Sequence, residues 1–162
     1  MQIWQPAYVG VGSNLAEPRQ QVERALARLG ELPRTRCLLR SRLYGSPPFG
    51  GMAQPDYVNA VAGLLTQLSA VQLLEALRAL EAAAGRPPER TRWGPRILDL
   101  DLLCLGRERH QEPSLMLPHP GIVERNFVLY PLADIAPDLE LPGLGRVTEL
   151  KERVAPTGLI VL

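Results

Sequence analysis

Apolar residues recur along this chain with two periods, and their alternation predicts strands and helices in turn. The stretch AYVGVGS, residues 7–13, is typical of a buried strand that ends in small residues. Pro18 is well placed to open a helix, and Gly30 is well placed to end it. Residues 35–44 mix arginines with apolar side chains and predict a second strand. The helix between the two strands has one apolar face, formed by Val22, Ala25, Leu26 and Leu29.

The middle of the chain repeats this order of elements. Residues 46–56 carry three prolines and two adjacent glycines, which argue against regular structure there. Residues 57–65 then predict a third strand. Ser69 and Gln72 form a capping box at the start of a second helix, which Gly85 ends. The apolar stripe of this helix consists of Leu73, Leu74, Leu77 and Leu80.

The second half predicts one more strand and some short helices. The segment RWGPRILDLDLLCLG, residues 92–106, contains a strand, and weaker patterns at 122–135 and 147–154 predict short helical pieces. The order strand–helix–strand, strand–helix–strand is that of a ferredoxin-like α+β sandwich. We therefore expect an antiparallel sheet with helices packed on one face and extra short helices or loops over the other. Residues 1–162 show no internal repeat and are predicted to form a single domain.

Composition narrows the range of partners. The formal net charge is +1 over 162 residues, so bulk electrostatics give no reason to expect a nucleic acid or a membrane surface. Every cation except Lys151 is an arginine, which almost excludes lysine-based chemistry. Cys37 and Cys104 form no CxxC pair and are predicted to be buried thiols in a reducing compartment. With no leader and no apolar run of spanning length, we expect a cytoplasmic enzyme or binding protein.

Two aspartates interrupt the apolar strand of residues 97–104. Asp99 and Asp101 point to the same face of a strand, about 6.6 Å apart at the backbone, because side chains alternate. Two neighbouring carboxylates need a proton or a cation between them. Mg²⁺ suits such oxygen ligands, and a bridging pair could hold two ions. On that face we also place Ile97 and Leu103, and on the opposite, core-packed face Leu98, Leu100, Leu102 and Cys104.

Arginines precede the aspartates in a proline-stiffened stretch and favour a phosphate ligand. Clusters of arginine bind polyphosphate through bidentate hydrogen bonds, so a Mg²⁺–nucleotide site is indicated. The alternative is a solvent-facing strand whose aspartates pair with these arginines. No Walker or dinucleotide motif occurs, and the glycines of residues 10–14 are interpreted as tight packing at a strand end. The cluster consists of Arg86, Arg90, Arg92 and Arg96.

A second group of residues is suited to a flat heterocycle. Tyr57 and Asn59 share a strand face beside the turn of residues 46–49, and Phe127 could cover the opposite side of a ring. On composition alone, a core tyrosine and a turn-capping asparagine are the better explanation of the first two. His119 and Arg125 follow in LPHPGIVERNF, where they could donate to an anionic oxygen or be purely structural.

Four segments together resemble the 6-hydroxymethyl-7,8-dihydropterin pyrophosphokinase family of folate synthesis. They are RWGPRILDLDLL, LPHPGIVERNFVLYPL, SPPFGG…QPDYVNAV and VGVGSNL, and the resemblance extends from about Tyr8 to Leu139. It implies transfer of the β,γ-pyrophosphoryl group of ATP to the hydroxymethyl oxygen of the pterin, which leaves AMP. It implies small-molecule partners only, and we expect a monomer.

The resemblance also implies a role for each matching residue. Asp99 and Asp101 would hold two Mg²⁺ ions, and Arg86 and Arg96 would brace the transferring group. The nucleotide side would consist of Glu81, Arg92, His119 and Arg125. The pterin side would consist of Ser46, Pro47, Phe49, Tyr57, Asn59, Trp93 and Phe127.

Two other functions use the same residues differently. Polymerase palms and nucleotidyl cyclases also carry carboxylates on ferredoxin-like strands, but they attack the α-phosphate and release pyrophosphate. A small-ligand regulatory module of the same fold would consume no nucleotide at all. The products formed from ATP distinguish these three functions.

Overall fold

A computed structural model describes residues 3–48, 53–85 and 97–162. In this part of the chain the helices are α1 (Pro18–Leu29), α2 (Ala70–Ala83), α3 (Asn126–Ile135) and α4 (Val147–Glu152), with a 3₁₀ turn at Ile122–Glu124. The strands are β1 (Gln5–Ser13), β2 (Thr35–Arg40), β3 (Tyr44–Ser46), β4 (Tyr57–Thr66), β5 (Asp99–Leu105), β6 (His110–Glu112), β7 (Leu115–Leu117), β8 (Glu140–Leu141), β9 (Gly145–Arg146) and β10 (Ile160–Val161).

The main sheet is antiparallel at every pairing, in the order β10-β3-β4-β1-β5, and β2 also pairs with β4. The long strands β1 and β4 lie in the middle of it. Two small hairpins, β6–β7 and β8–β9, lie outside the sheet. None of the helices in the described ranges is both long and apolar enough to cross a membrane.

Apolar side chains fill both faces of the sheet, which confirms the expected arrangement of an α+β protein. On one face, α1 and α2 cover a cluster that includes Val22, Leu26, Leu73 and Leu77. On the other face, the short helices α3 and α4 cover a second cluster built around Leu129, Leu132 and Leu150. The helices predicted from the weak patterns after residue 106 therefore exist, and they close the face that α1 and α2 leave open.

The two long helices are confirmed down to their ends. The four predicted residues on the apolar face of α1 are all buried. At the start of α2, the Gln72 N–H donates to Ser69 Oγ at 3.2 Å and the Ser69 N–H donates to Gln72 Oε1 at 2.9 Å, which is the predicted capping box. Gly85 follows this helix with a φ of +96°, a left-handed conformation that glycine adopts readily.

The prediction of one strand over residues 35–44 is wrong, because two strands, β2 and β3, occupy this stretch. The Ser41 N–H donates to the Val61 carbonyl, and the Val61 N–H donates to Ser41 Oγ, so a side chain replaces a backbone partner there. Three residues lie between Arg40 and Tyr44, but only two lie between their partners on β4, Ala62 and Asn59, and this mismatch interrupts the pairing. Ser46, expected in the irregular segment, is the last residue of β3.

The prediction that Cys104 lies on the same face as Leu98, Leu100 and Leu102 is also wrong. The register between β1 and β5 shifts at this point, since Tyr8 pairs with Cys104 but Val9 pairs with Leu102. The extra residue on β5 is a β-bulge, which changes the face on which the following side chains lie. Cys104 therefore packs with Leu103 in the second cluster, where burial raises the pKa of its thiol to about 12.

A hydrogen-bonded clamp, formed by Arg42, Tyr44 and Asp134, ties α3 to β3. The Tyr44 hydroxyl donates to Asp134 Oδ2 at 2.7 Å, and the Arg42 guanidinium donates to both carboxylate oxygens. Burial raises the pKa of Asp134, but the hydrogen bonds from Arg42 and Tyr44 outweigh it and hold that pKa below its ordinary value. Burial and the bond to Asp134 raise the pKa of Tyr44 to about 12.

The clamp predicts a pH-dependent share of stability. Because the carboxyl pKa of Asp134 is lower in the folded state, the stabilisation is present above its ordinary pKa and is lost as pH falls through the lowered one. Asp134→Asn should lower the free energy of unfolding by about 1–2 kcal/mol at pH 7, measured by urea denaturation. The difference from wild type should shrink at pH 2. Asp138→Asn, at an exposed position shortly after α3, is the control and should change little at either pH. An equal loss at both pH values would contradict the role of the charge.

Candidate active site

The two aspartates of β5 lie opposite two glycines of β1. Asp101 pairs with Gly10 and Asp99 pairs with Gly12 in the antiparallel ladder, where partners share a sheet face. Since the glycines have no side chains, the surface beside each carboxylate is an open floor of backbone. Neither aspartate belongs to an apolar cluster, and the Asp101 side chain is 34% exposed.

The same row of the sheet continues from Gly12 to Asn59 of β4. The Asn59 side chain is buried, and its Nδ2 donates to Ser46 Oγ on β3 at 2.7 Å. A Cβ atom added at Gly12 would lie 3.0 Å from Asn59 Oδ1, so a side chain at this position would crowd the Asn59 amide. The carboxylate of Asp99 and the amide of Asn59 are therefore two strands apart, about 9.6 Å at the backbone, with only Gly12 between them.

A first cleft of about 620 Å³, including its open mouth, lies above this floor. Tyr57 and Phe127 contribute aromatic walls, and Ser46 and Asn59 contribute polar groups. Most of the predicted pterin-side residues are thus brought to one concave surface. The residues that line this cleft include Gly10, Gly12, Ser46, Pro47, Tyr57, Asn59, Asp99, Asp101, Arg125, Phe127 and Val128.

A second cleft, of about 770 Å³ including open solvent, lies between the end of α2 and the β6–β7 hairpin. Glu81 and His119 line it, together with Arg78 of α2 and Ser114 and Met116 of the hairpin. Asp99 and Asp101 line this cleft as well as the first one. The carboxylate pair therefore stands at the boundary where the two clefts meet.

His119 is held as a neutral ring at this boundary. The Gly121 N–H donates to His119 Nδ1 at 3.0 Å, so the proton of the neutral imidazole is on Nε2. Burial, assisted by the charge of Arg125 and opposed by Asp99, lowers the pKa of His119 to about 4. The Nε2 atom lies 4.0 Å from Asp101 Oδ1. At neutral pH, His119 is thus a hydrogen-bond donor beside the carboxylates rather than a cation.

Glu81 connects α2 to the strand that carries the aspartates. It is a buried residue in the last turn of α2, and its Oε2 accepts a hydrogen bond from the Leu100 N–H at 2.8 Å. Leu100 lies between Asp99 and Asp101, so this bond fixes the backbone that separates the two carboxylates.

Arg125 lies on the side of the first cleft, whereas the sequence-based assignment placed it with the nucleotide residues. Its guanidinium carbon is 6.0 Å from the centre of the Phe127 ring. The same group packs on Gly121, where an added Cβ would come within 2.7 Å of it. After burial, the positive charge of Arg125 is the second cause that lowers the pKa of His119.

Several predicted site residues lie outside the described part of the chain, so the structure locates none of them. These residues are Phe49, Arg86, Arg90, Arg92, Trp93 and Arg96.

Sequence reasoning missed two features of the site. Gly10 and Gly12 were interpreted only as strand packing, although they form the floor of the first cleft. Asn14 was given no role, but it is buried, and its Nδ2 donates to Gln54 Oε1 and to the Pro55 carbonyl, both at 2.9 Å. These bonds hold the residues before Tyr57 against the end of β1. A polar residue directly after a buried strand was the available signal.

The carboxylate pair fits magnesium better than a metal with a complete protein shell. Among the described residues, no group of three or more His, Cys, Asp or Glu side chains is arranged to hold a metal ion. Mg²⁺ needs only one or two carboxylates, because water and substrate phosphates complete its octahedral shell. Asp99 and Asp101 offer that donor set, with open space on both sides for the remaining ligands.

Solved structures share this fold. A crystal structure of Plasmodium falciparum HPPK-DHPS, wild type with pteroate, superposes with a TM-score of 0.72 at 12% sequence identity. The match covers 93% of this chain and 42% of the Plasmodium chain. At this identity the comparison shows the fold alone.

Curated relatives match almost from end to end. The chain is 50% identical over 146 residues to a 2-amino-4-hydroxy-6-hydroxymethyldihydropteridine pyrophosphokinase of Pseudomonas aeruginosa, with 90% of each protein covered. It is 44% identical over 156 residues to the protein of the same name from Haemophilus influenzae, with 96% of this chain and 97% of the relative covered. The family model for 7,8-dihydro-6-hydroxymethylpterin-pyrophosphokinase (HPPK) matches residues 8–137, close to the span of the motifs read from the sequence. This chain therefore belongs to the HPPK family.

Proposed function

We propose that this protein transfers the pyrophosphoryl group of ATP to 6-hydroxymethyl-7,8-dihydropterin, a step of folate synthesis. One structural observation supports this most strongly: two separate clefts meet at Asp99 and Asp101. A bisubstrate transfer requires that the two reacting atoms approach each other at the group that neutralises charge. The membership of the chain in the HPPK family identifies the two substrates.

The first cleft is the proposed pterin pocket. Its floor of backbone at Gly12 accepts a flat ring, and Tyr57 and Phe127 are suited to contact the two faces of that ring. Asn59 and Ser46 are positioned to read its polar edge. In this orientation the hydroxymethyl end points along the sheet row toward Asp99. Pro47, Phe49 and Trp93 complete the proposed set.

The second cleft is the proposed ATP pocket. His119, neutral with its proton on Nε2, can donate to a phosphate oxygen without the desolvation cost of a buried cation. Glu81 fixes the backbone between the aspartates. We keep Arg125 as a phosphate contact because it matches the family motif, although its side chain lines the first cleft. We assign Arg92 to nucleotide binding, and Arg86 and Arg96 to the transferring group, because they match the family motif.

Asp99 and Asp101 are the proposed ligands of two Mg²⁺ ions. Bound there, the ions would offset the negative charge of the ATP phosphates. The chain itself supplies positioning: the register of β5 against β1 places both carboxylates at the junction of the clefts. With Mg²⁺ bound, the two carboxylates would hold the phosphate chain of ATP at the end of the second cleft that borders the first.

The reaction requires no enzymic nucleophile. The hydroxymethyl oxygen of the pterin forms the new bond to the β-phosphorus and loses its proton. The bond from the β-phosphorus to the α,β-bridging oxygen breaks, and AMP leaves with that oxygen. Catalysis of this kind depends on in-line placement and on charge neutralisation, for which arginines and carboxylate-bound ions are sufficient.

We also propose the finer assignments of fold and context. The order β3-β4-β1-β5 around α1 and α2 supports a ferredoxin-like core. The main sheet, which carries an apolar cluster on each face, supports one domain for residues 1–162. Two free cysteines support a cytoplasmic enzyme. A monomer that binds no nucleic acid remains the expectation from sequence.

The function is tested by identifying the products by mass after incubation with ATP, Mg²⁺ and 6-hydroxymethyl-7,8-dihydropterin. We expect AMP and the pterin diphosphate in equal amounts. Free pyrophosphate with a nucleotide adduct would indicate attack at the α-phosphate instead. Unchanged ATP would indicate a binding module.

The metal assignment predicts the effect of Asp101→Ala. Turnover should fall at least about 10³-fold, because one ligand of the charge-neutralising ions is lost. The fold should persist, since the side chain belongs to neither apolar cluster, and near-wild-type circular dichroism and melting temperature would check this. Asp138→Ala makes the same chemical change at an exposed position away from both clefts, and it should retain activity. Near-wild-type turnover by Asp101→Ala would defeat the metal assignment.

The two-cleft arrangement predicts that Phe127→Ala weakens the binding of the pterin but not that of ATP. Loss of the ring face should raise the KM for the pterin about tenfold and change the KM for ATP by less than about twofold. Phe127→Leu keeps an apolar side chain against the second cluster and should show the same selectivity with a smaller loss of stability. Equal losses for both substrates would contradict the assignment of the clefts.

A further inference from the structure

The segment of residues 155–162, here called the C-terminal strap, lies beyond the residues that the family model matches. Its last residues form β10, which pairs with β3 through Ile160–Gly45 and Val161–Tyr44. The Leu162 N–H also donates to the Leu43 carbonyl at 2.9 Å. The strap therefore adds an edge strand to the sheet beside β3, the strand that ends at Ser46 in the first cleft.

Gly158 of the strap packs directly on Pro47, a residue that lines the first cleft. A Cβ atom added at Gly158 would lie 2.9 Å from both Cγ and Cδ of the proline ring. Gly158 also has a φ of +78°, which favours glycine. Because the proline ring cannot rotate away as a long side chain would, the glycine sets how closely the strap approaches the turn.

Asn126 connects the strap to a second wall of the same cleft. It is the first residue of α3 and lies between Arg125 and Phe127, both of which line the cleft. Its Nδ2 donates to the carbonyls of Ala155 and Thr157, at 3.0 and 3.1 Å. The strap is thus bonded to the start of α3 at one end and to β3 at the other.

We propose that the C-terminal strap positions the walls of the pterin pocket, with Asn126 and Gly158 as its positioning residues. By joining β3 and the Pro47 turn to the start of α3, it fixes the distance between the wall that carries Ser46 and the wall that carries Phe127. This inference rests on the proposed function, which assigns the pterin to the first cleft.

The placement of the strap favours positioning over a contribution to the core. None of the residues 155–162 belongs to either apolar cluster, and all but Leu159 are exposed. Its described contacts with the rest of the chain include β3, the adjoining Leu43, Pro47 and Asn126. The second cleft, on the other side of Asp99 and Asp101, has no strap residue in its lining.

The test is Gly158→Ala in the full chain, compared with Gly145→Ala. Gly145 also has a positive φ, of +119°, but an added Cβ there would meet no atom within 4 Å, so it controls for backbone strain alone. We expect Gly158→Ala to raise the KM for the pterin about three- to tenfold and to leave the KM for ATP within about twofold. Gly145→Ala should leave both values unchanged. Equal effects of the two variants, or equal changes in both KM values, would overturn the proposal.

A second variant tests whether the two contacts act through the same segment. Asn126→Ala should raise the KM for the pterin and leave the KM for ATP unchanged. The double variant Asn126→Ala/Gly158→Ala should raise the pterin KM by about as much as the single variant with the larger effect, because both changes release the same strap. Full multiplication of the two effects would overturn the proposal.

An independent readout separates this inference from the proposed function. In NMR spectra of the free protein, Gly158→Ala should shift the amide signals of Ser46 and Val128 but not those of Leu102 and His119. If the wild-type protein forms no AMP but these shifts occur, the proposed function is wrong, and the strap still positions the walls of the first cleft. If AMP forms and the signals of Ser46 and Val128 do not move, the strap inference fails alone.

Discussion

The register of β5 against β1 is the constraint on which the rest of the site depends. It places each carboxylate opposite a glycine, Asp99 at Gly12 and Asp101 at Gly10. A slip by one residue would turn both aspartates into the apolar cluster under α1 and α2, where an uncompensated charge is strongly unfavourable. Leu100 and Leu102, buried in that cluster, therefore hold the carboxylates outward. The bulge beyond Leu102 breaks the regular ladder and fixes the register further.

The two clefts follow from this register. The glycines leave the floor of the first cleft free of side chains, and the outward carboxylates form its border with the second. Glu81 then fixes the backbone between them through its bond to the Leu100 N–H. Asn14 fixes the segment before Tyr57 through its bond to the Pro55 carbonyl. Each of these contacts connects β1 or β5 to a neighbouring segment. The site is thus held by the sheet, and the helices supply individual walls.

Sequence reasoning succeeded where the determining contacts are local. The capping box joins Ser69 and Gln72, which are three positions apart, so it could be predicted from the sequence. The alternation of side chains that places Asp99 and Asp101 on the same face of β5 could also be predicted. Sequence reasoning failed where contacts between distant residues determine the local structure. The break between β2 and β3 depends on Ser41 meeting Val61, twenty residues away, and the face of Cys104 depends on a bulge set by β1. The proposed roles of the site residues come from the family motif, whereas the position of Arg125 beside Phe127 comes from the fold.

The central claim is that one carboxylate pair serves both clefts. The most direct measurement is a crystal structure of the protein with a non-hydrolysable ATP analogue, 6-hydroxymethylpterin and Mn²⁺ in place of Mg²⁺, with the metal located by its anomalous signal. The account predicts anomalous peaks at Asp99 and Asp101, phosphates in the cleft beside Glu81 and His119, and the pterin between Tyr57 and Phe127. Aspartates bonded only to guanidinium groups, or both ligands in one cleft, would contradict it.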